Sequence, residues 1–291
     1  GPSPLRPMTQ PHTLHLPPRH VLERIAAIAL EEDLGRGDVT TEATVPNSVQ
    51  GAATFTARHP LVLSGVAMIV EVYRQVDPSV VVSAQRADGD RLGKGEHACR
   101  VSGSAASILR GERVALNFAQ RMSGVATLSR RYVDALPSGS RTRIADTRKT
   151  TPGLRALERY AVRCGGAYNH REDLSSAVLI KDNHVAAAGG VAAAIERARA
   201  YAPHTSRIEC EVDTLAQLEV ALAAGADIIM LDNFDDESTR TALAIAKGRC
   251  VIEVSGGITL ARVHTLGALG VDVISVGALT HSAPAVDLGL D

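Results

Sequence analysis

One stretch of the chain gathers residues able to bind an anion, Asp146-Thr147-Arg148-Lys149-Thr150-Thr151-Pro152-Gly153. It follows a short segment in which polar and apolar residues alternate, the pattern of a buried strand. Thr151 is a suitable N-cap and Pro152 a suitable first helical residue, so a helix is expected to begin there. The free N–H groups and positive dipole at such a helix start would attract an anion to Arg148 and Lys149.

The charge around this stretch points to the same chemistry. From Arg141 to Arg171 there are eight Arg and Lys but only two acidic residues, in a chain of formal net charge −1. Arginine is suited to bidentate pairing with a carboxylate or phosphate, and lysine acts as a point charge. Taken singly, Arg148, Lys149 or the pair His170-Arg171 could be ordinary surface residues. Their concentration predicts an anion site.

Further chemical groups recur where short apolar runs end. These runs occupy 177–180, 208–212, 228–231, 251–254 and 273–276. With the segment before Asp146 they make six, beginning roughly 20 to 35 residues apart, the βα period of a parallel barrel. The residues at their ends are Asp146-Thr147-Arg148-Lys149, Lys181, Glu211, Asp232, Ser255-Gly256-Gly257 and Gly277. Because catalytic groups collect at the carboxyl ends of such strands, six ends in phase predict one active site.

Each strand-end group has a chemical interpretation and a structural alternative. Glu211 and Asp232 each close an apolar strand, where a carboxylate is costly to bury unless a metal ion, sugar hydroxyls or a lysine satisfies it. Lys181 is either a cation of the site or an edge residue that reaches solvent. The glycines of Ser255-Gly256-Gly257, and Gly277, could offer backbone N–H groups to a phosphate or could simply form turns. Together these residues fit a strongly anionic substrate pair with Mg²⁺.

Composition excludes several other classes of protein. Aromatic residues make up 3% of the chain, Trp is absent and the pI is about 6.9, which argues against a nucleic-acid or membrane-surface binder. The four cysteines show no metal-ligand spacing, and no apolar run approaches the ~18 residues that span a bilayer. There is also no secretory leader, so a cytoplasmic location is expected.

The elements that must position the site divide the chain into domains. Residues 1–20 are interpreted as a tag remnant and an extended arm. Residues 21–136 are predicted to form a small α/β domain without chemical motifs, to which the tail 282–291 is a candidate to return. Residues 137–281 are predicted to form the barrel. The predicted elements of the first domain are a helix at 21–34, a strand at 51–57, a helix at 66–76, a strand at 80–84 and a helical region at 104–136 that breaks near Ser123-Gly124.

From about Val21 to its end, the chain resembles the quinolinate phosphoribosyltransferase family, also called nicotinate-nucleotide pyrophosphorylase (carboxylating). The resemblance is carried by an ordered set of motifs with no departure at a motif position. The motifs are Glu32–Thr41, Gly111–Arg113, Asp146–Gly153, Asn169–Arg171, Ile180–His184, Glu211–Asp213, Leu231–Phe234, Ser255–Ile258 and Val276–Ser282.

The resemblance implies an enzyme of NAD synthesis. Members of the family join quinolinate to 5-phosphoribosyl-1-diphosphate and release pyrophosphate and CO2, giving nicotinate mononucleotide. Their fold is an N-terminal α/β sandwich followed by an incomplete parallel α/β barrel, and they work as homodimers or larger assemblies with Mg²⁺. Small molecules, rather than nucleic acid or a membrane, are therefore the expected partners.

The resemblance also implies a role for each matching residue. Arg148, His170, Arg171 and Lys181 are implied to hold the quinolinate carboxylates, Thr147 to bind substrate, and Lys149 and Lys181 to meet the diphosphate. Glu211 and Asp232 are implied to serve Mg²⁺ and the ribose hydroxyls. Ser255, Gly256, Gly257 and Gly277 are implied to cradle phosphate, with His281 nearby. Arg113 is implied to reach into the active site of the neighbouring subunit.

Three other functions are also compatible with these residues. Nicotinate phosphoribosyltransferase is a related barrel that binds one carboxylate and does not decarboxylate, but two carboxylates account better for the number of cations. A Schiff-base lyase would use Lys181 as its nucleophile. A non-catalytic phosphosugar-binding protein would have no need of paired carboxylates at strand ends.

Overall fold

The computed structural model describes residues 13–291, so the predicted tag remnant and the first residues of the predicted arm lie outside the described residues. The described chain divides into two compact units. The first contains residues 13–130, 149–167 and 278–291, and the second contains residues 131–148 and 168–277.

The amino-terminal half of the chain supplies most of the first unit. Its elements are α1 (Arg19–Leu34), α2 (Val39–Thr44), β1 (Gln50–Ala57), β2 (Leu61–Val62), α3 (Val66–Val76), β3 (Val81–Ala84), β4 (Arg91–Leu92), β5 (His97–Ser104) and α4 (Ala105–Asp134).

The carboxyl-terminal half alternates strands and helices. Its elements are β6 (Arg143–Ala145), α5 (Arg155–Cys164), β7 (Val178–Ile180), α6 (Asp182–Ala188), α7 (Val191–Tyr201), β8 (Ile208–Val212), α8 (Leu215–Ala223), β9 (Ile228–Asp232), α9 (Asp236–Ala246), β10 (Val251–Ser255), α10 (Leu260–Leu269), β11 (Val273–Ser275), α11 (Ala278–His281) and β12 (Leu288–Leu290).

The first unit is built on a four-stranded antiparallel sheet in the order β12-β1-β5-β3. The last strand of the chain pairs with the first, placing Phe55 opposite Leu290. Helix α1 packs against α3, and the fully buried side chains of Tyr73 and Met68 belong to the core of this unit. Leu22, Ile25, Ala26 and Leu30 form the buried face of α1, and Gly35 ends the helix at a φ of 51°.

The second unit contains a six-stranded parallel sheet in the order β6-β11-β10-β9-β8-β7. Strands β6 and β7 therefore lie at the two edges of the sheet, and in a closed barrel these two edges would be joined. The barrel is therefore incomplete, as predicted. Alternation within a strand separates two faces: Ile208, Cys210 and Val212 are buried in the core, while Glu209 and Glu211 point to the opposite face of β8.

The predicted break near Ser123-Gly124 is wrong, because α4 runs through it without interruption. These residues make tertiary contacts instead. The hydroxyl of Ser123 accepts from the N–H of Ser64 at 2.9 Å and donates to the carbonyl of the same residue at 3.0 Å. A Cβ on Gly124 would lie 2.2 Å from the carbonyl oxygen of Pro284. Small residues allow this close approach, and the rest of α4 maintains the helix.

The predicted helix start at Thr151-Pro152 is also wrong. Helix α5 begins at Arg155, and the N–H of Thr151 donates to the buried carboxylate of Glu158 at 2.6 Å. Glu158 also pairs with Arg121 at 2.6 Å, so an ion pair fixes this turn. Arg148 and Lys149 therefore do not precede a helix directly, so the predicted contribution of a helix start to an anion site at these residues is lost.

In the part of the chain that the structure describes, no helix is both long and apolar enough to cross a bilayer. All four cysteines are buried and free.

Candidate active site

The carboxyl ends of the barrel strands bring the two predicted carboxylates together. The parallel register places Asp232 opposite Ser255, and Glu211 opposite Met230, two residues before Asp232. Burial raises the pKa of Glu211, and the neighbouring charge of Asp232 raises it further, whereas Lys181 lowers it. Glu211, Asp232 and Lys181 thus lie within electrostatic range of one another, as their positions in the sequence predict.

The local backbone fixes Asp232 tightly. The next residue, Asn233, has a φ of 56°, a left-handed conformation that asparagine tolerates better than most residues, and its amide donates to Asp232 Oδ2 at 3.3 Å. On the neighbouring strand, Gly256 has a φ of 89°, and a Cβ at this position would lie 3.1 Å from Asp232 Oδ1. Glycine is therefore needed here both for its conformation and for its small size.

A polar cavity of about 260 Å³ adjoins the paired carboxylates. Asp182, Glu211, Asp213 and Asp232 contribute carboxylates to its lining. Carboxylate oxygens at close range are the donors that a hard cation such as Mg²⁺ prefers. Burial and the charge of Asp232 raise the pKa of Glu211, so a positive charge near it would stabilise its ionised form.

Two arginines lie together in the same unit. Burial lowers the pKa of Arg171, and the nearby charge of Arg148 lowers it further. The Nη1 atom of Arg171 donates to the carbonyl of Ala177 at 3.1 Å, which orients the guanidinium. Arg148 and Arg171 therefore lie within electrostatic range of each other, and guanidiniums are suited to pairing with a carboxylate or phosphate.

The segment that carries Arg171 is anchored by Asp146, a residue that the sequence analysis quoted but did not assign. Asp146 is completely buried. Its Oδ1 accepts the backbone N–H of His170 at 2.6 Å, and its Oδ2 accepts the amide of Asn169 at 2.8 Å. The first residue after β6 therefore sets the course of the chain before Arg171.

The imidazole of His170 points towards two glutamates that the sequence analysis missed. Its Nε2 lies 3.3 Å from Glu209 Oε2 and 3.1 Å from Glu253 Oε1. The sequence spacing could have indicated both glutamates. Glu209 stands two residues before Glu211, and Glu253 two residues before Ser255, so each shares a strand face with a predicted site residue. The predicted contact between His170 and a substrate carboxylate stays a prediction.

The remaining predicted residues fall in two groups. In the barrel unit, Lys181 is exposed and its N–H donates to Nδ1 of His184 at 3.0 Å. The other barrel members are Thr147, Ser255, Gly257 and Gly277, which follow or end strands as predicted. Lys149, His281 and the exposed Arg113 of α4 belong to the first unit, and their roles in a site stay predictions.

Sequence comparisons identify relatives over nearly the whole chain. Residues 38–123 match the profile of the quinolinate phosphoribosyl transferase N-terminal domain, and residues 125–291 match that of the C-terminal domain. A probable nicotinate-nucleotide pyrophosphorylase [carboxylating] of Bacillus subtilis is 43% identical over 260 residues, covering 89% of each chain. A nicotinate-nucleotide pyrophosphorylase [carboxylating] of Mycobacterium leprae is 44% identical over 271 residues, covering 90% of this chain and 94% of its own.

Solved protein structures with a similar fold are also known. The crystal structure of NadC from Streptococcus pyogenes superposes with a TM-score of 0.92 at 42% identity, covering 96% of this chain and 98% of its own. Human nicotinic acid phosphoribosyltransferase gives a TM-score of 0.60 at 17% identity, covering 92% of this chain and 73% of its own, and shares the fold alone.

Proposed function

The chain belongs to the quinolinate phosphoribosyltransferase family, and we propose how its residues carry out the reaction of that family. The enzyme transfers phosphoribosyl from 5-phosphoribosyl-1-diphosphate to quinolinate with decarboxylation, giving nicotinate mononucleotide, pyrophosphate and CO2 for NAD synthesis. The observation that carries the assignment is the pairing of two arginines and two carboxylates in the barrel unit, with Lys181 beside the carboxylates.

Arg148 and Arg171 bind the carboxylates of quinolinate, with Thr147 and Lys181 beside them. A dianion can pair with both guanidiniums through bidentate, charge-assisted hydrogen bonds. Binding through two carboxylates also orients the ring, so that its nitrogen faces C1 of the ribose. Such positioning is a major contribution to a two-substrate reaction.

Glu211 and Asp232 act on the ribose. As the bond between C1 and the pyrophosphate oxygen breaks, positive charge builds on the sugar and the electron pair leaves with pyrophosphate. Carboxylates fixed nearby stabilise that positive charge without having to reorganise. The pyridine nitrogen then forms the new bond to C1.

The same two carboxylates are the residues that would hold Mg²⁺. The four carboxylates that line the cavity beside them are the donors that a divalent cation prefers. When bound, Mg²⁺ supplies charge neutralisation for the departing pyrophosphate.

Phosphate is held by backbone N–H groups and lysines. Gly256 and Gly257 have φ values of 89° and 61°, a pair of left-handed residues ahead of α10. Successive N–H groups in such a turn form a concave anion site. Ser255 and Gly277 extend this cradle, and Lys181 meets the diphosphate.

Decarboxylation needs no further cofactor. Once its nitrogen is ribosylated the ring is a pyridinium, which stabilises the electron pair left on C2 when CO2 departs. The ring carbon then takes up a proton, giving nicotinate mononucleotide. The protein contributes by holding the ring through its carboxylates until this step is complete.

The assembly is a homodimer or larger, in which the exposed Arg113 of one subunit reaches the active site of its partner. Four buried free cysteines support a reducing cytoplasmic location. A Schiff-base mechanism is not favoured, because Lys181 is exposed beside Glu211 rather than desolvated as a nucleophilic lysine requires.

The proposed function is tested by incubating the purified protein with quinolinate, 5-phosphoribosyl-1-diphosphate and Mg²⁺, with formation of nicotinate mononucleotide and pyrophosphate as the readout. Equal amounts of both products are expected. Release of pyrophosphate without the mononucleotide would contradict the assignment.

A further inference from the structure

A buried cluster lies one layer beneath the carboxylates of the site. Glu209 and Glu253 are 4% and 2% exposed, and both approach Nε2 of His170. Each precedes a predicted site residue by two positions on its strand, so the cluster and the site share the same face of the sheet. The reaction as described above makes no use of these two glutamates.

The hydrogen bonds of His170 define which ring nitrogen carries a proton. The backbone N–H of Arg171 donates to Nδ1 at 2.8 Å, so Nδ1 must present a lone pair. The proton of the neutral ring is then on Nε2, which faces Glu209 and Glu253. The ring thus accepts a hydrogen bond from the backbone at Nδ1 and donates one to a carboxylate at Nε2.

This arrangement argues against a metal ion in the cluster. A histidine that binds a metal through Nε2 carries its proton on Nδ1 and donates it to an oxygen. Here Nδ1 faces an N–H group instead. Burial lowers the pKa of His170, and hydrogen bonds to Glu209 and Glu253 raise it to about 10. The fully protonated ring would nevertheless bring two N–H groups together at Nδ1, so the hydrogen-bonding geometry favours the neutral form.

Nearby cations offset the negative charge of the cluster. A cavity of about 540 Å³ is lined by Glu209, Glu253, Arg143, Arg171 and Arg207. Buried carboxylates are tolerated when charges of the opposite sign and hydrogen bonds compensate them. Glu209 and Glu253 therefore offer carboxyl oxygens to Nε2 of His170 from the barrel interior.

We propose that Glu209 and Glu253 are positioning residues for quinolinate, acting through His170 to fix Arg171. The proposal rests on the proposed function, in which Arg171 binds a quinolinate carboxylate. His170 is held at three atoms: its N–H by Asp146, its Nδ1 by the Arg171 N–H, and its Nε2 by the glutamates. Loss of the Nε2 acceptors frees the ring to rotate, which removes the acceptor from the Arg171 N–H and loosens the backbone that carries this arginine.

The test compares variants that remove the acceptors with variants that retain one. The double variant Glu209→Leu/Glu253→Leu replaces both with apolar residues of similar volume, a change that buried charge clusters commonly tolerate. The single variants Glu209→Gln and Glu253→Gln keep an oxygen for Nε2–H. Glu71→Gln is the matched control, because Glu71 is a buried glutamate of the first unit.

The expected result is a change in quinolinate binding alone. In the leucine variant the KM for quinolinate should rise about tenfold or more, the usual effect of losing a charged hydrogen bond. The KM for 5-phosphoribosyl-1-diphosphate should stay within about twofold of the wild-type value. Each glutamine variant and Glu71→Gln should bind quinolinate as the wild type does. The proposal is overturned if the leucine variant binds quinolinate normally, or if both glutamine variants lose as much as it does.

A second measurement does not depend on activity. In protein labelled with ¹⁵N-histidine, the ring of His170 should give the pattern of the neutral Nε2–H form in the wild type and in both glutamine variants. His170→Asn identifies the signal by its disappearance. A wild-type signal from a fully protonated ring or from the Nδ1–H form would overturn the proposal even if the leucine variant failed to fold. If the Nε2–H form is found but quinolinate is not a substrate, the proposed function fails while the anchoring of His170 stands.

Discussion

Replacing Gly256 by alanine should displace the carboxylate of Asp232. With a φ of 89°, Gly256 adopts a left-handed conformation that costs an L-residue about 1–2 kcal/mol. The added Cβ would lie 3.1 Å from Asp232 Oδ1, closer than the 3.4–4 Å of ordinary contact, so the carboxylate must move by a few tenths of an ångström. A displacement of about 1 Å at a reacting centre can cost ~10²-fold in rate, which gives an expected loss in kcat of about tenfold for Gly256→Ala.

Gly225 provides the matched control for backbone strain. Its φ is 83°, and a Cβ there would meet no atom within 4 Å. Gly225→Ala and Gly256→Ala should therefore lower the thermal unfolding midpoint by similar amounts, about 2–4 °C for each kcal/mol of strain. Only Gly256→Ala should lower kcat.

The assay is the initial rate of mononucleotide formation at saturating substrates, combined with thermal unfolding followed by circular dichroism. If Gly256→Ala and Gly225→Ala have the same kcat, then the close packing of Gly256 against Asp232 does not position the carboxylate for catalysis.

Three further perturbations test other parts of the account. Glu211→Ala should lower kcat by about 10²-fold or more with the fold intact, since it removes a group that stabilises transition-state charge; wild-type rates and Mg²⁺ dependence would make Glu211 merely structural. Arg113→Ala and Lys181→Ala should each be nearly inactive, but mixing them under conditions of subunit exchange should restore activity in one site of two. If exchange is verified and no activity returns, Arg113 acts only within its own subunit. The hydrogen bond from Arg74 lowers the pKa of Glu71 below its usual 4.5, so this carboxylate contributes stability above that pH and loses it as the pH falls through the lowered pKa. Glu71→Gln should therefore unfold about 2 °C below the wild type at pH 7, and the difference should vanish in acid; a difference that persists in acid would contradict the ion-pair explanation.

The strands and their ends could be predicted because they obey local rules. The apolar run 208–212 coincides with β8, and the polar residue that ends each run lies at the same edge of the sheet because all six strands are parallel. Glu211, Asp232 and Lys181 were identified in this way. Their proximity follows from the fold class and the position of each residue on its strand.

Features that depend on partners distant in sequence could not be predicted from local patterns. Thr151 has the composition of an N-cap, but the carboxylate of Glu158, paired with Arg121, takes its N–H. Gly124 has the composition of a helix break, yet it serves the close approach of Pro284. Such interactions become visible only when the tertiary structure is known.

The buried cluster illustrates the same limit within the barrel. His170 and Glu253 are 83 positions apart, and their contact requires both the strand register and the course of the segment after α5. The alternation of Glu209 with Glu211 places both on one face, but nothing local shows that the deeper residue meets an imidazole. Sequence pattern therefore locates the layer that reaches substrate more readily than the layer that supports it.

The central claim is that the barrel recognises a pyridine dicarboxylate and decarboxylates it. The most direct measurement supplies quinolinate carrying labelled carbon in its 2-carboxylate, with nicotinate tested in a parallel reaction under the same conditions. Labelled CO2 and nicotinate mononucleotide should form from quinolinate in equal amounts, and nicotinate should give no mononucleotide. Efficient turnover of nicotinate, or mononucleotide formation without release of the label, would contradict the account.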